Sequence, residues 1–225
     1  MNPETGIIEQ MLRVALLGSE WVLYLLLVLS VASFAVVIER WWWFRRQTRG
    51  SRELTVGVRA ALISGDAEVA GELVRRGDCI EARILQRAWR WLDAGPDAMA
   101  DAIESELSEE KEALERGLNL LGTLGNNAPF VGLLGTVIGV IGAFHALGAN
   151  TEGGGGGNMD NVMAAIAEAL VATGVGLFVA LPAVVAYNKV QTATGEIEAR
   201  VLGLSRLVTA HLHARAHRGR DAGER

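Results

Sequence analysis

The sequence predicts an all-α integral membrane protein with three transmembrane helices, two of them long and extended into a cytoplasmic helical lobe. Three observations carry this reading. Half of the 225 residues are hydrophobic and the mean hydropathy is +0.26, yet the charges are segregated, crowding between Glu39 and Arg116 and again after Lys189. Between these blocks stand apolar runs long enough to cross a bilayer. The charged blocks place apolar residues at three- and four-residue spacing, and no stretch alternates with the period of a strand.

The first span reads Trp21 to Ile38, WVLYLLLVLSVASFAVVI, with no charged residue. About 18 residues at 1.5 Å rise approach a hydrocarbon core of roughly 30 Å. A cleaved leader is disfavoured because Arg13 is the only cation in the first twenty residues. The run ends at Glu39-Arg40-Trp41-Trp42-Trp43-Phe44-Arg45-Arg46, an aromatic belt followed by cations, which is a stop-transfer border. Trp41, Trp42 and Trp43 are accordingly expected as interfacial anchors rather than a binding cage.

The lobe reads as helices over Glu53–Ser64, Asp66–Arg76 and Cys79–Leu92, punctuated by Gly65, Gly77 and Ala94-Gly95-Pro96. After Pro96 a longer helix carries Ile103, Leu107, Leu114, Leu118 and Leu121 on one stripe and is expected to run unbroken into the second span. Its glutamates, Glu104, Glu106, Glu109, Glu110, Glu112 and Glu115, are expected to form a solvated face. Cys79, the single cysteine, excludes an intrachain disulfide and is expected as a small buried apolar residue. His211, His213 and His217 lie in a basic tail expected to fray, without the carboxylate or thiol that would complete a metal site.

The second and third spans lie within Gly117–Leu147 and Val162–Tyr187, joined by a connection with five consecutive glycines. That connection lacks the preceding strand and following Lys-Ser/Thr of a phosphate loop and is expected as a flexible linker. Arg40, Arg45, Arg46, Arg49, Lys111, Arg116 and Lys189 border the lobe side of the spans, whereas Gly148–Asp160 carries no Lys or Arg. By the positive-inside rule the lobe and C-terminus are cytoplasmic and the N-terminus and the connection face outward. The chain therefore divides into an outward segment (1–20), a first span (21–44), the lobe (45–116), a second span (117–147), the glycine-rich periplasmic connection (148–160), a third span (161–188) and a cytoplasmic helix with a basic tail (189–225).

Glu168 is the only charged side chain between Asn161 and Asn188. A carboxylate at the bilayer centre costs at least about 2.5–3.5 kcal/mol, so such residues usually mark ion paths. The bland alternative is a neutral acid hydrogen-bonded between helices. Gly132, Gly135, Gly139 and Gly142 form a small-residue stripe on the second span, answered by Ala165, Ala169, Ala172 and Gly176 on the third. Such stripes let helix backbones approach closely in lipid. Counted from the connection, Thr136 and Glu168 fall at similar depth, roughly 12–15 Å from the outer border, with Thr173 about one turn deeper. The three make a candidate proton pathway, although threonines also bond their own helix carbonyls. Pro129 and Pro182 are expected to kink their helices, and His145 to lie wetted near the outer border.

Ala128-Pro129-Phe130-Val131-Gly132-Leu133-Leu134-Gly135-Thr136-Val137, with Ile166-Ala167-Glu168-Ala169-Leu170-Val171-Ala172-Thr173 and Ala180-Leu181-Pro182-Ala183-Val184-Val185-Ala186-Tyr187-Asn188, resembles the ExbB/TolQ branch of the MotA/TolQ/ExbB proton-channel family. The resemblance implies a pentamer around a dimer of a single-span ExbD/TolR-like partner, proton flow driving work at the outer membrane or envelope, and possible engagement of a TonB/TolA-like protein. It matches Glu168 to the family's membrane glutamate and Thr136 and Thr173 to its pore threonines. Ala164-Ala165 stand where the family often has Pro-Gly, and Ile138 where an aromatic is usual. The assignment among ExbB, TolQ and a specialised motor therefore stays open.

The expectation is a proton-driven motor subunit of the inner membrane, surrounded by lipid, with no catalytic site and no cofactor beyond the coupling proton. The net charge of −5 and pI near 5.5 give no reason to expect nucleic-acid binding. A secondary transporter is opposed by the lack of an internal repeat and of a polar solute site. A passive scaffold for a partner helix remains the other alternative.

Overall fold

The computed structural model describes residues 20–151 and 159–223. Among them there is no strand. The elements are α1 (Glu20–Gln47), α2 (Ser51–Ile63), α3 (Ala67–Arg76), α4 (Ile80–Ala88), a 3-10 turn (Trp89–Ala94), α5 (Pro96–Glu115), α6 (Leu118–Thr151) and α7 (Met159–Gly223). Three of these helices, α1, α6 and α7, contain segments long and apolar enough to cross a membrane. The N-terminal segment and most of the glycine-rich connection lie outside the described residues. The chain divides into two compact units. One holds the stretch up to Ile38 with Gly117–Asn188, the other Glu39–Arg116 with the stretch from Lys189.

In the first unit, α6 and α7 form an antiparallel hairpin against which the start of α1 packs. Val22 and Leu26 are fully buried in a cluster with Ala128, Ile138, Val179 and Ala180. Leu121, Leu124 and Ala183 form a second cluster flanked by Leu29, Val36, Val37 and Tyr187. The outside of this unit is also apolar: Leu27, Val28, Val31, Phe34, Phe130, Phe144, Leu170, Phe178 and Leu181 are all exposed. Such a surface suits lipid or further helices and not water. Pro129 and Pro182 both lie inside continuous helices.

The second unit is a water-type helical core, with Leu54, Val58, Val74, Ile80, Ile84, Leu85, Met99, Ile103, Leu114, Ile197, Val201 and Leu204 buried. The sequence breaks fall where expected. Gly65 and Gly95 take positive φ (87° and 107°), a conformation that costs a side-chain-bearing residue. Asp66 caps α3 by accepting from the Val69 amide at 3.1 Å. The segment expected over Cys79–Leu92 is shorter, because after Ala88 the chain tightens into the 3-10 turn.

Two expectations about the long helices fail. The helix after Pro96 does not run unbroken into the second span: α5 stops at Glu115, Arg116 is extended (ψ 131°) and Gly117 has φ 78°. Arg40 explains the stop. Its buried guanidinium donates to the carbonyl oxygens of Ala113 (3.0 Å) and Leu114, two of the orphan acceptors at the helix end, where a cation is also favoured by the helix dipole. The C-terminal tail, expected to fray, is instead helical through Gly223, with Val208 and Leu212 buried along it and His213 and His217 exposed.

Candidate functional site

Small residues set the spacing of the hairpin. A Cβ built on Gly132 would lie 2.8 Å from the Ala172 carbonyl oxygen, and one on Gly135 would lie 2.7 Å from the Ala172 Cβ. A Cβ on Gly139 would meet the Ala169 Cβ at 2.5 Å and the Ala165 oxygen at 3.6 Å, and one on Gly176 would meet the Ala128 oxygen at 2.7 Å. The backbones therefore touch along a seam with no room for a methyl group, as expected of helix pairs held by dispersion in lipid. Gly142, one turn on from Gly139, is only partly buried. The seam was anticipated from spacing, and it extends further than anticipated, since Gly125 lies against Val184 and Gly122 against Tyr187.

These contacts fix the register and with it the depth of the candidate pathway. Gly139 lies opposite Ala169 and Gly135 opposite Ala172. Thr136, next to Gly135, is thus about one helical turn, about 5 Å, deeper than Glu168. Thr173, whose Cα comes within 3.0 Å of a Cβ on Gly132, lies close to the depth of Thr136. The equal depth of Thr136 and Glu168 expected from chain counting is replaced by two threonines at about one level, deeper than the carboxylate.

The three side chains differ in environment. Thr136 is half-buried and its hydroxyl donates to the Leu133 carbonyl at 2.6 Å, the local bond that threonines in helices commonly make. Thr173 is half-buried, and its Oγ1 is enclosed without a hydrogen-bond partner. Glu168 flanks the seam, three residues from Ala165 and four from Ala172, yet it is exposed on this chain. One α7 face thus presents a carboxylate among exposed apolar side chains such as Leu170 and Val171.

At the aromatic belt, the Arg40 guanidinium lies over the rings of Trp43 (4.6 Å) and Phe44 (5.1 Å), while Arg45 and Arg46 lie over Trp41 and Trp42 at 5.4 and 5.8 Å. These are cation–π contacts within one helix. Trp41 and Trp42 stay exposed. Cys79 is buried, as expected, and burial pushes its thiol up.

The sequence reading missed one buried polar cluster. Glu81 is fully buried, accepts from the Ser51 hydroxyl at 2.5 Å and pairs with Arg200 of α7 at 2.8 Å. The signal was available: Glu81 precedes Ile84 and Leu85 by three and four residues, on the stripe of α4 that faces the core. The glutamates of α5 also depart from a uniformly solvated face, since Glu106 and Glu110 are largely covered by pairing with Arg83, Arg87 and Arg90 at 3.1–3.8 Å.

Residues 77–201, more than half of the chain, match the model of the MotA/TolQ/ExbB proton channel family, and the chain belongs to that family. It is a multi-pass membrane protein of the ExbB/TolQ branch. It is 36% identical over 150 residues to the Tol-Pal system protein TolQ of Pseudomonas aeruginosa, covering 67% of this chain and 63% of that protein. It is 46% identical over 87 residues to the biopolymer transport protein ExbB of Xanthomonas campestris, covering 39% of this chain and 33% of that protein. The chain thus spans less than two thirds of either. With the biopolymer transport protein ExbB of Neisseria meningitidis it shares 31% identity over 210 residues, covering 87% of each.

Proposed function

We propose that this chain is the proton-channel subunit of an inner-membrane complex of TolQ/ExbB type, in which the proton motive force drives work at the outer membrane or cell envelope. The observation that carries the reading is Glu168, exposed beside a backbone-to-backbone seam. A carboxylate on the outside of a membrane helix is costly against lipid, so its face calls for cover by another helix. A ring of copies, five by family resemblance, around a single-span ExbD/TolR-like dimer supplies that cover. Glu168 would take up and release the proton, with the hydroxyls of Thr136 and Thr173 continuing the path on the deeper side. One proton crossing 100 mV releases about 2.3 kcal/mol, so several per cycle supply useful mechanical work. The chain catalyses no reaction of its own in this reading.

The cationic borders support a cytoplasmic lobe and C-terminus. Relatives named as Tol-Pal system TolQ and as biopolymer transport ExbB both match, which supports Tol-type envelope maintenance and biopolymer transport as the candidate processes. The test is Glu168→Gln and Glu168→Ala, each co-expressed with a single-span ExbD/TolR-like partner. Proton-driven function is expected to be lost in both while the complex still assembles. Wild-type function in both variants overturns the proposal.

A further inference from the structure

We infer that the groove at the lobe end of α1 is a binding site for the phosphate head group of an anionic phospholipid. The groove encloses about 1160 Å³ within the second unit. Five arginines line it: Arg46 and Arg49 at the end of α1, Arg75 and Arg76 at the end of α3, and Arg83 of α4. The lining itself holds two carboxylates, Glu53 and Asp78, and Arg76 and Arg83 also meet Glu72 and Glu110 outside it. Guanidinium forks are suited to phosphate oxygens, and clustered arginines favour a multiply hydrogen-bonded anion.

Arg46, Arg49 and Arg75 form no ion pair among the described residues, and the pairs of the other two are weak. Arg76 reaches Glu72 at 3.4 Å, but its side chain is 80% exposed, so the pair is weak. Arg83 lies 3.8 Å from Glu110, and its Nε is buried without a hydrogen-bond partner. The rim is also preorganised. The Gln86 amide donates to the carbonyls of Val74 (2.7 Å), Gly77 (3.0 Å) and Arg75 (3.4 Å), pinning the end of α3 from which two of the arginines project.

The position selects a lipid over a soluble anion. Trp42 and Trp43 line the groove, and Trp42 follows Ile38, the last residue of the apolar run, by four residues, about 6 Å along the helix. Arg46 follows by about 12 Å. Aromatic rings at the interface with cations just beyond them match the order of acyl chain, glycerol and phosphate in one leaflet. The site is independent of the proton role of Glu168.

The full chain in detergent, exchanged with phosphatidylglycerol or phosphatidylcholine, is examined by native mass spectrometry for retained lipid. Preferential retention of phosphatidylglycerol is expected. The triple variant Arg46→Gln/Arg75→Gln/Arg76→Gln, all at exposed positions, is expected to weaken it by about tenfold or more, given the attraction of each cation for an anionic head group. The triple variant Arg52→Gln/Arg59→Gln/Arg206→Gln, which removes equal charge elsewhere, is expected to retain it. Equal retention of the two lipids, or equal loss in both triple variants, overturns the inference. Displacement by inorganic phosphate at matched concentration also overturns it, in favour of a free-phosphate site. If the groove triple variant fails to assemble, Arg75→Gln alone decides, with partial loss expected and unchanged retention counting against the site.

Discussion

Gly132 and Gly176 meet backbone to backbone: a Cβ added to Gly176 would lie 3.0 Å from the Gly132 Cα and 2.7 Å from the Ala128 oxygen. Neither position can give way, because the obstructing atoms are main chain. Gly176→Ala is therefore expected to destabilise the hairpin by about 1–3 kcal/mol, the usual cost of overpacking. Gly174, two residues away on α7, has nothing within 4 Å of a built Cβ. Gly174→Ala should be neutral or stabilising by up to about 1 kcal/mol through helix propensity. Unfolding of both variants in one detergent makes the comparison; equal effects would refute the seam.

Arg40 terminates α5 by hydrogen bonding to Ala113 and Leu114. Arg40→Met keeps much of the apolar stem and removes the donors. Hydrogen bonds from a charged group contribute about 1.5–3 kcal/mol, and a destabilisation of that order is expected. Amide hydrogen exchange should quicken around Leu114–Leu118 before the rest of α5, and unchanged exchange there would contradict the cap.

Glu81 and Arg200 form a buried pair, with Glu81 fully enclosed and the Arg200 side chain 28% exposed. Arg200→Met strands the carboxylate and is expected to cost about 3 kcal/mol, the low end for a broken buried pair because Arg200 is partly screened. Glu81→Leu combined with Arg200→Met should recover most of that loss. A double-mutant cycle by thermal unfolding reads the coupling, and additive effects would show the pair to be incidental.

Lys111 is held above the ordinary lysine range by its hydrogen bond to Glu198, 3.2 Å away, and by the charges of Glu198 and Glu115. A pKa raised in the folded state contributes stability that is complete below the unfolded lysine pKa and is lost as pH rises through the folded value. Lys111→Gln is thus expected to lower Tm slightly at neutral pH and to have no effect at strongly alkaline pH. Added salt should shrink the neutral-pH difference, since the pair is exposed enough to be screened. A difference that grows with pH would contradict the assignment.

The spans, the lobe helices and the glycine–alanine seam were legible because each leaves a periodic mark on the sequence. What was not legible depended on partners distant in the chain. The stripe Ile103, Leu107, Leu114, Leu118 and Leu121 continues across Gly117, so periodicity alone joins α5 to α6. The break needs Arg40, more than seventy residues away, to hold the last carbonyls. Glu81 was hidden among many lobe glutamates, because the sequence does not say which of them meets Arg200. Chain counting through the connection set the depth of Thr136 against Glu168, whereas the depth is decided by which glycine meets which alanine.

A seam of this kind also restricts motion. With Gly132, Gly135, Gly139 and Gly176 all closer to opposing atoms than a methyl group would allow, α6 and α7 have no soft side-chain layer on which to slide by fractions of an ångström. A shift would have to carry each small residue to the next small residue, about one helical turn or 5.4 Å. Short of that jump the hairpin behaves as a single stiff beam, so any small displacement must be borne by surfaces other than the one between these two helices.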